Sequence, residues 1–208
     1  MKIINKHFVN GFYALVNPIG GMLERAHIHP HFVTVAGLVF SVISGILFWK
    51  GQFVFGGIAL ILSGACDVLD GRLARNTAQS SKFGALFDST IDRYSEVAVF
   101  LGLAAFYNSL LIDALIIISI AGSILTSYVR ARAEGLGLEC KIGLMQRPER
   151  ITFIAVGSIL GPVGDLIFKE PGLLMKAALL AIALLANFTV LQRVLYVRKL
   201  LKQNSEGN

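Results

Sequence analysis

Apolar residues in this chain come in long runs and do not alternate with polar ones. Runs at approximately 32 to 49, 53 to 73, 84 to 106, 109 to 130, 151 to 168 and 172 to 195 are each near the ~20 residues that a helix needs to cross a bilayer. Residues 1 to 26 differ. There Ile4, Phe8, Phe12, Leu15 and Ile19 recur at helical spacing among Asn5, Lys6, Asn10 and Asn17, the pattern of an amphipathic helix lying in the membrane interface. Gly11, Asn17 and Pro18 interrupt every stretch that could form the apolar centre of a cleaved leader, so no cleavage is expected. The pattern therefore predicts an all-α polytopic membrane protein with six transmembrane helices. It forms one membrane domain over 1–208, with an interfacial helix at 1–26, a six-helix bundle at 32–195 and a cytoplasmic tail at 196–208. Connections near Lys50 to Gln52 and near Asn108 are short enough to force antiparallel neighbours, and none is long enough to hold a soluble domain.

Composition strengthens this reading. Of 208 residues, 55% are hydrophobic and 15% charged, against roughly 25% charged in soluble domains. A net charge of +6 would suggest nucleic acid in a soluble chain, but here the basic residues sit between apolar runs. That placement excludes a nucleic-acid partner and favours anionic lipid headgroups and phosphorylated substrates. With six spans both termini share a side, and of the 19 Lys and Arg only Lys50, Lys169 and Lys176 fall on the other. The bias places both termini in the cytoplasm, in a cell (inner) membrane. Cys66 and Cys140 show no paired spacing, which excludes a disulfide scaffold or a cysteine-rich metal site.

The second and third runs carry a contradiction, because Asp67, Asp70, Asp88, Asp92 and Glu96 lie in or beside segments that otherwise read as lipid-embedded. Four unpaired intramembrane aspartates would cost roughly 10 kcal/mol. Asp67 and Asp70 are i, i+3 and Asp88 and Asp92 are i, i+4, so each pair projects from one helix face, and the connection from Arg72 to Phe83 folds the two helices together. Converging carboxylates with no His or Cys among them suit Mg²⁺, Mn²⁺ or Ca²⁺, and two such ions would neutralise four charges. The competing reading is an ion-paired network with Arg72, Arg75 and Arg93, which would not require so regular a spacing. Gly71 after Asp70 and Gly84 one turn before Asp88 are expected to let a ligand or backbone approach the carboxylate faces. A cation transporter is the alternative from another class. Transport, however, would call for polar residues across the whole bilayer, whereas these cluster at one end.

Asp67, Asp70, Gly71, Ala74, Arg75, Gly84, Asp88 and Asp92 stand in the order D-x2-D-G-x2-A-R-x8-G-x3-D-x3-D, and this string resembles the signature of the CDP-alcohol phosphotransferase family. The resemblance implies six transmembrane helices, an N-terminal interfacial helix and a homodimer. It also implies an enzyme of phospholipid biosynthesis with a dimetal site of two divalent cations, Mg²⁺ or Mn²⁺. In that site Asp67, Asp70 and Asp88 would hold the ions, Asp92 would serve as ligand and general base, and Gly71, Ala74 and Arg75 would contact the CDP moiety of a CDP-linked lipid. Pro30 and Thr34 are similar to the family's P-x3-T entry to the first span, which helps form the nucleotide pocket, with His31 where Asn or Asp is usual.

The family divides by acceptor. Arg130, Arg147 and Arg150 flank the connection between the fourth and fifth runs, and Arg193 lies near the end of the sixth. The stretch from Ser127 through Arg130 to Glu134, with Arg147-Pro148-Glu149-Arg150, is similar to that of the family's bacterial phosphatidylinositol phosphate synthases. This likeness implies that Ser127, Arg130, Arg150 and Arg193 bind the phosphate of inositol phosphate, a dianion suited to guanidinium forks. An uncharged acceptor would leave these cations crowded without a partner. Glycerol 3-phosphate carries the same dianion and is the runner-up acceptor. Arg132, Lys141, Arg198, Lys199 and Lys202 read as topology signals. His27, His29 and His31 read as headgroup-facing, Cys66 as packing, and Asp113 and Asp165 as water-facing at the opposite interface.

Overall fold

The computed structural model describes residues 6–169 and 171–206. The described residues form helices only: α1 (Lys6–Arg25), α2 (Pro30–Trp49), α3 (Phe53–Asn76), α4 (Lys82–Tyr107), α5 (Leu110–Glu134), α6 (Arg147–Ile159), α7 (Gly161–Phe168) and α8 (Leu173–Glu206). Local chemistry explains the boundaries. Pro30 occupies the first turn of α2, where its missing N–H costs nothing. The Ser81 hydroxyl accepts from the Gly84 N–H at 2.9 Å to start α4, and Asn108 ends it in the left-handed region at φ 43°. At α6 the side chains of Gln146 and Glu149 form a reciprocal capping box.

Helices α2, α3 and α4 pack as one group and α5 and α8 as another, and α6 touches both α3 and α8. Phe48, Leu60, Val99, Phe100, Leu103, Ile112, Met175, Leu179 and Ile182 form a continuous buried core between them. The closest crossing is glycine on glycine, since a methyl group added at Gly102 would run into the Gly45 backbone. This is the small-residue contact that drives helix packing in lipid. Two buried serines are satisfied across helices, Ser41 with Ser63 at 2.8 Å and Ser44 to the Gly56 carbonyl at 2.8 Å.

Helices α2, α3, α5 and α8 are long and apolar enough to cross a membrane, and α6 with α7 gives a fifth span if the pair, bent by 55°, counts as one. The chain is thus a multi-pass membrane protein. Helix α4 falls short of that standard because Asp88, Asp92, Arg93 and Glu96 interrupt its apolar character. One expectation needs correction. The fifth run is not one straight helix, because Gly161 and Pro162 restart the chain as α7 and Pro cannot continue an α-helical ladder. Within the expected tail the helix of α8 continues through Glu206. Helix α1 runs through Pro18 and packs Val16, Phe12 and Leu23 on Leu69 and Leu73 of α3. Ile4 and Asn5 lie outside the described residues.

Candidate active site

The last turns of α3 and the first turns of α4 bring Asp67, Asp70 and Asp88 together, with one carboxylate oxygen from each within 4.8 Å of the others. Asp92 lines the same small cavity, with Thr34, Gly37, Ser63 and Ser95 around it. Asp70 is 5% exposed. Its Oδ2, and Oδ1 of Asp88, are buried with no hydrogen-bond partner. An unpaired buried carboxylate oxygen costs several kcal/mol, so two at one point mark a place built for a cation. The donors are hard oxygens throughout, and the residues therefore fit a divalent ion of the Mg²⁺ or Mn²⁺ kind.

The cation that the structure itself places among the aspartates is Arg147. Its Nη1 lies 2.8 Å from Asp67 Oδ1 and 2.6 Å from Asp92 Oδ1. The arginines named in the ion-pair alternative do not take this position. Arg72 turns to α1, where it meets Glu24 at 3.1 Å and Asn17 at 2.5 Å, and Arg93 stands 3.8 Å from Asp92. Arg75 lies against Gly71, its Nη1 3.4 Å from where a Cβ would be, and Ala74 is half-buried on the same turn. Thr34 is buried and donates to the Pro30 carbonyl at 3.2 Å. Beside Gly84, Ser81 Oγ and His31 Cε1 lie 3.1 and 3.4 Å from where a Cβ would sit, so protein atoms approach this glycine closely. His31 packs on Phe87 and Phe83 at ring distances of 5.1 and 6.0 Å. It is a packing residue and not the headgroup-facing one expected, while His27 and His29 are exposed.

The basic cluster differs from expectation in one respect: each of its arginines already has a partner. Arg150, 2% exposed, grips Glu96 through Nε at 2.5 Å and Nη2 at 3.2 Å. Arg193, 3% exposed, donates to the carbonyls of Ile142 at 2.7 Å and Thr126 at 2.5 Å. Arg130 is exposed and pairs with Glu134 one turn on at 2.9 Å. Ser127 donates to the Ser123 carbonyl at 3.3 Å. The argument that an uncharged acceptor would leave these cations without a partner is therefore overturned. Sequence reasoning also missed the contacts of Arg147 and Glu96. The available signal was the spacing of Arg147 and Arg150, one turn apart on a helix that must return past α3. Cys66 and Cys140 are free. Asp165 caps the Gly172 N–H at 2.8 Å, far from this cavity.

Comparison with known proteins places this arrangement. The family model described as CDP-alcohol phosphatidyltransferase matches residues 27–192. The chain is 34% identical over 203 residues to archaetidylinositol phosphate synthase of Methanothermobacter thermautotrophicus, covering 97% of this chain and 100% of that one. It is 37% identical over 193 residues to phosphatidylinositol phosphate synthase of Mycobacteroides abscessus, covering 90% and 85%. The crystal structure of Mycobacterium tuberculosis phosphatidylinositol phosphate synthase with CDP-DAG bound superimposes with a TM-score of 0.75 at 31% identity, over 88% of this chain and 94% of that one. The same enzyme in complex with manganese and citrate also gives 0.75 at 31% identity, over 88% of each. An enzyme family, and not a transporter, accounts for the intramembrane carboxylates: the chain belongs to the CDP-alcohol phosphatidyltransferases.

Proposed function

We infer that this protein transfers a phosphatidyl-type group from a CDP-linked lipid to inositol phosphate, releasing CMP and forming phosphatidylinositol phosphate. The observation that carries this is the aspartate cluster with its two unpartnered oxygens, in a chain whose relatives are named as inositol phosphate synthases. Asp67, Asp70, Asp88 and Asp92 hold two divalent cations, Mg²⁺ or Mn²⁺, which when bound draw charge from the pyrophosphate and favour departure of CMP. Pro30, Thr34, Gly71, Ala74 and Arg75 receive the CDP moiety, with the small residues leaving room on the helix and Arg75 supplying charge. Asp92 takes the proton of the attacking hydroxyl, its Oδ1 held at 2.6 Å by Arg147 and its Oδ2 standing farther from a cation, 3.8 Å from Arg93.

The acceptor phosphate is met by Ser127, Arg130, Arg150 and Arg193. Exposed Arg130 supplies mobile charge. Arg193 is locked by two carbonyls through Nε and Nη1, so its orientation is fixed before the acceptor binds. Arg150, neutralised by Glu96, supports the site more by fixing α6 against α4 than by net charge. In this reading α4 is a sixth span, α1 lies in the interface, 1–208 is one domain, and both termini and the site face the cytoplasm of the cell membrane in a homodimer.

A competition assay tests the acceptor. Purified protein receives labelled CDP-diacylglycerol, Mn²⁺ or Mg²⁺, and equal inositol phosphate and glycerol 3-phosphate in one tube. Phosphatidylinositol phosphate is the expected product. Phosphatidylglycerol phosphate alone would refute the acceptor while leaving the family chemistry intact.

A further inference from the structure

Away from the aspartates but at the same end of the bundle, the C-terminal turns of α5 and α8 diverge and leave a cleft of about 580 Å³, within the range of small-ligand sites. Its floor is apolar: Tyr128, Leu136, Val194, Val197 and Leu201, of which Tyr128 is 60% exposed and Val194 47%. Its rim is basic, formed by Arg132, Arg198 and Lys202. Among the described residues none of these three forms an ion pair, and no carboxylate lines the cleft. This contrasts with Arg130, Arg147 and Arg150 nearby, each of which has its own carboxylate.

Helix length sets the depth of the cleft. Helix α8 has 34 residues, about 51 Å at 1.5 Å per residue, against a hydrocarbon core of about 30 Å. Its final turns therefore emerge at headgroup level beside the end of α5. An apolar floor under a ring of unpaired cations at that depth matches one chemistry, a phosphate ester carrying an acyl chain. Basic pockets between membrane helices on the cytoplasmic side are the recurrent form of such sites.

We propose that the cleft between the ends of α5 and α8 binds an anionic phospholipid of the surrounding leaflet, its phosphate on Arg132, Arg198 and Lys202 and its proximal acyl chain on Tyr128, Val194 and Val197. This site is separate from the transfer chemistry and stands whichever acceptor the enzyme uses. Its occupancy ties the C-terminal turns of α8, and through them Arg193, to the charge of the membrane.

The test uses full-length protein in nanodiscs of phosphatidylcholine with phosphatidylglycerol, and native mass spectrometry counts the phosphatidylglycerol retained on release. The wild type is expected to hold one anionic lipid per chain. Arg132→Gln/Arg198→Gln/Lys202→Gln should lower retention by about tenfold or more, as each surface cation is worth about fivefold. A charge-matched control at the same end, Arg25→Gln/Lys141→Gln/Lys199→Gln, removes three cations that do not line the cleft and should leave the bound lipid in place. Val197→Trp, which fills the floor and keeps every cation, should also release the lipid. Equal loss in the control would overturn the proposal in favour of diffuse attraction. Full retention by Val197→Trp would overturn the seat of the acyl chain. Replacement of phosphatidylglycerol by newly made product after turnover would make this a product site, and conversion of a dimer to a monomer by the triple variant would make it a subunit interface. Either result would overturn the proposal.

Discussion

The acidic cluster on α3 and α4 and the basic cluster on α5, α6 and α8 treat charge in opposite ways. On α3 and α4, Asp70 and Asp88 each keep an oxygen buried without a partner. On α5, α6 and α8, Arg130, Arg150 and Arg193 are all engaged by carboxylates or carbonyls. An unsatisfied buried anion is costly, and the convergence of two with Asp67 marks a cluster completed by something that binds. A satisfied cation carries no such mark, and its use lies in orientation already settled by the fold. Arg147 joins the two clusters, reaching from the start of α6 to Asp67 and Asp92.

The sharpest break of the comparison is at Asp92. Asp92→Asn should cut CMP release by about a thousandfold, within the range for loss of a general base, while CDP-lipid binding measured by equilibrium retention stays largely intact. Asp67→Asn should lose Mn²⁺ and nucleotide binding as well. Equal loss of Mn²⁺ affinity in both variants would remove the distinction between base and ligand.

On the basic side the largest effect should be structural. Glu96→Gln leaves Arg150 charged and buried without its partner, at a cost of about 3 kcal/mol, read as a lowered Tm in detergent. Adding Arg150→Met should recover most of that loss, because removing both charges removes the desolvation penalty.

Arg147→Gln probes the junction. Without a cation facing them the aspartates repel, so the variant should be less stable than wild type in chelator by about 2 kcal/mol. Added Mn²⁺ should close the gap. A deficit that Mn²⁺ leaves unchanged would show Arg147 to be packing alone. The smallest expected effect is at Arg193. Arg193→Lys keeps the charge but not the fork, and it should raise the acceptor KM by about tenfold with CDP-lipid KM little altered, the worth of one charge-assisted contact.

Much of this was legible in the chain itself because it depends on neighbours in sequence. The lengths of the apolar runs, the short turns at Lys50 and Asn108, and the one-face spacing of Asp67 with Asp70 and of Asp88 with Asp92 all follow from local geometry, and α2 to α5 begin and end within a few residues of expectation. The break before α7 was also written locally, in Gly161-Pro162. Hydropathy averaged across the run concealed it, since neither residue is charged.

Only the tertiary structure decided which charge meets which. Arg150 and Glu96 are 54 positions apart, Arg193 and the Thr126 carbonyl 67, and Arg147 reaches Asp67 from a different helix. Helical periodicity says which face a side chain occupies but not which helix will lie against that face, and in a bundle of similar apolar rods packing alone settles the neighbour. The sequence by itself therefore determined the apolar helical runs, the carboxylate spacing and the family signature. The fold determined that the aspartates share one cavity with Arg147 and that Arg130, Arg150 and Arg193 are already held by partners of their own.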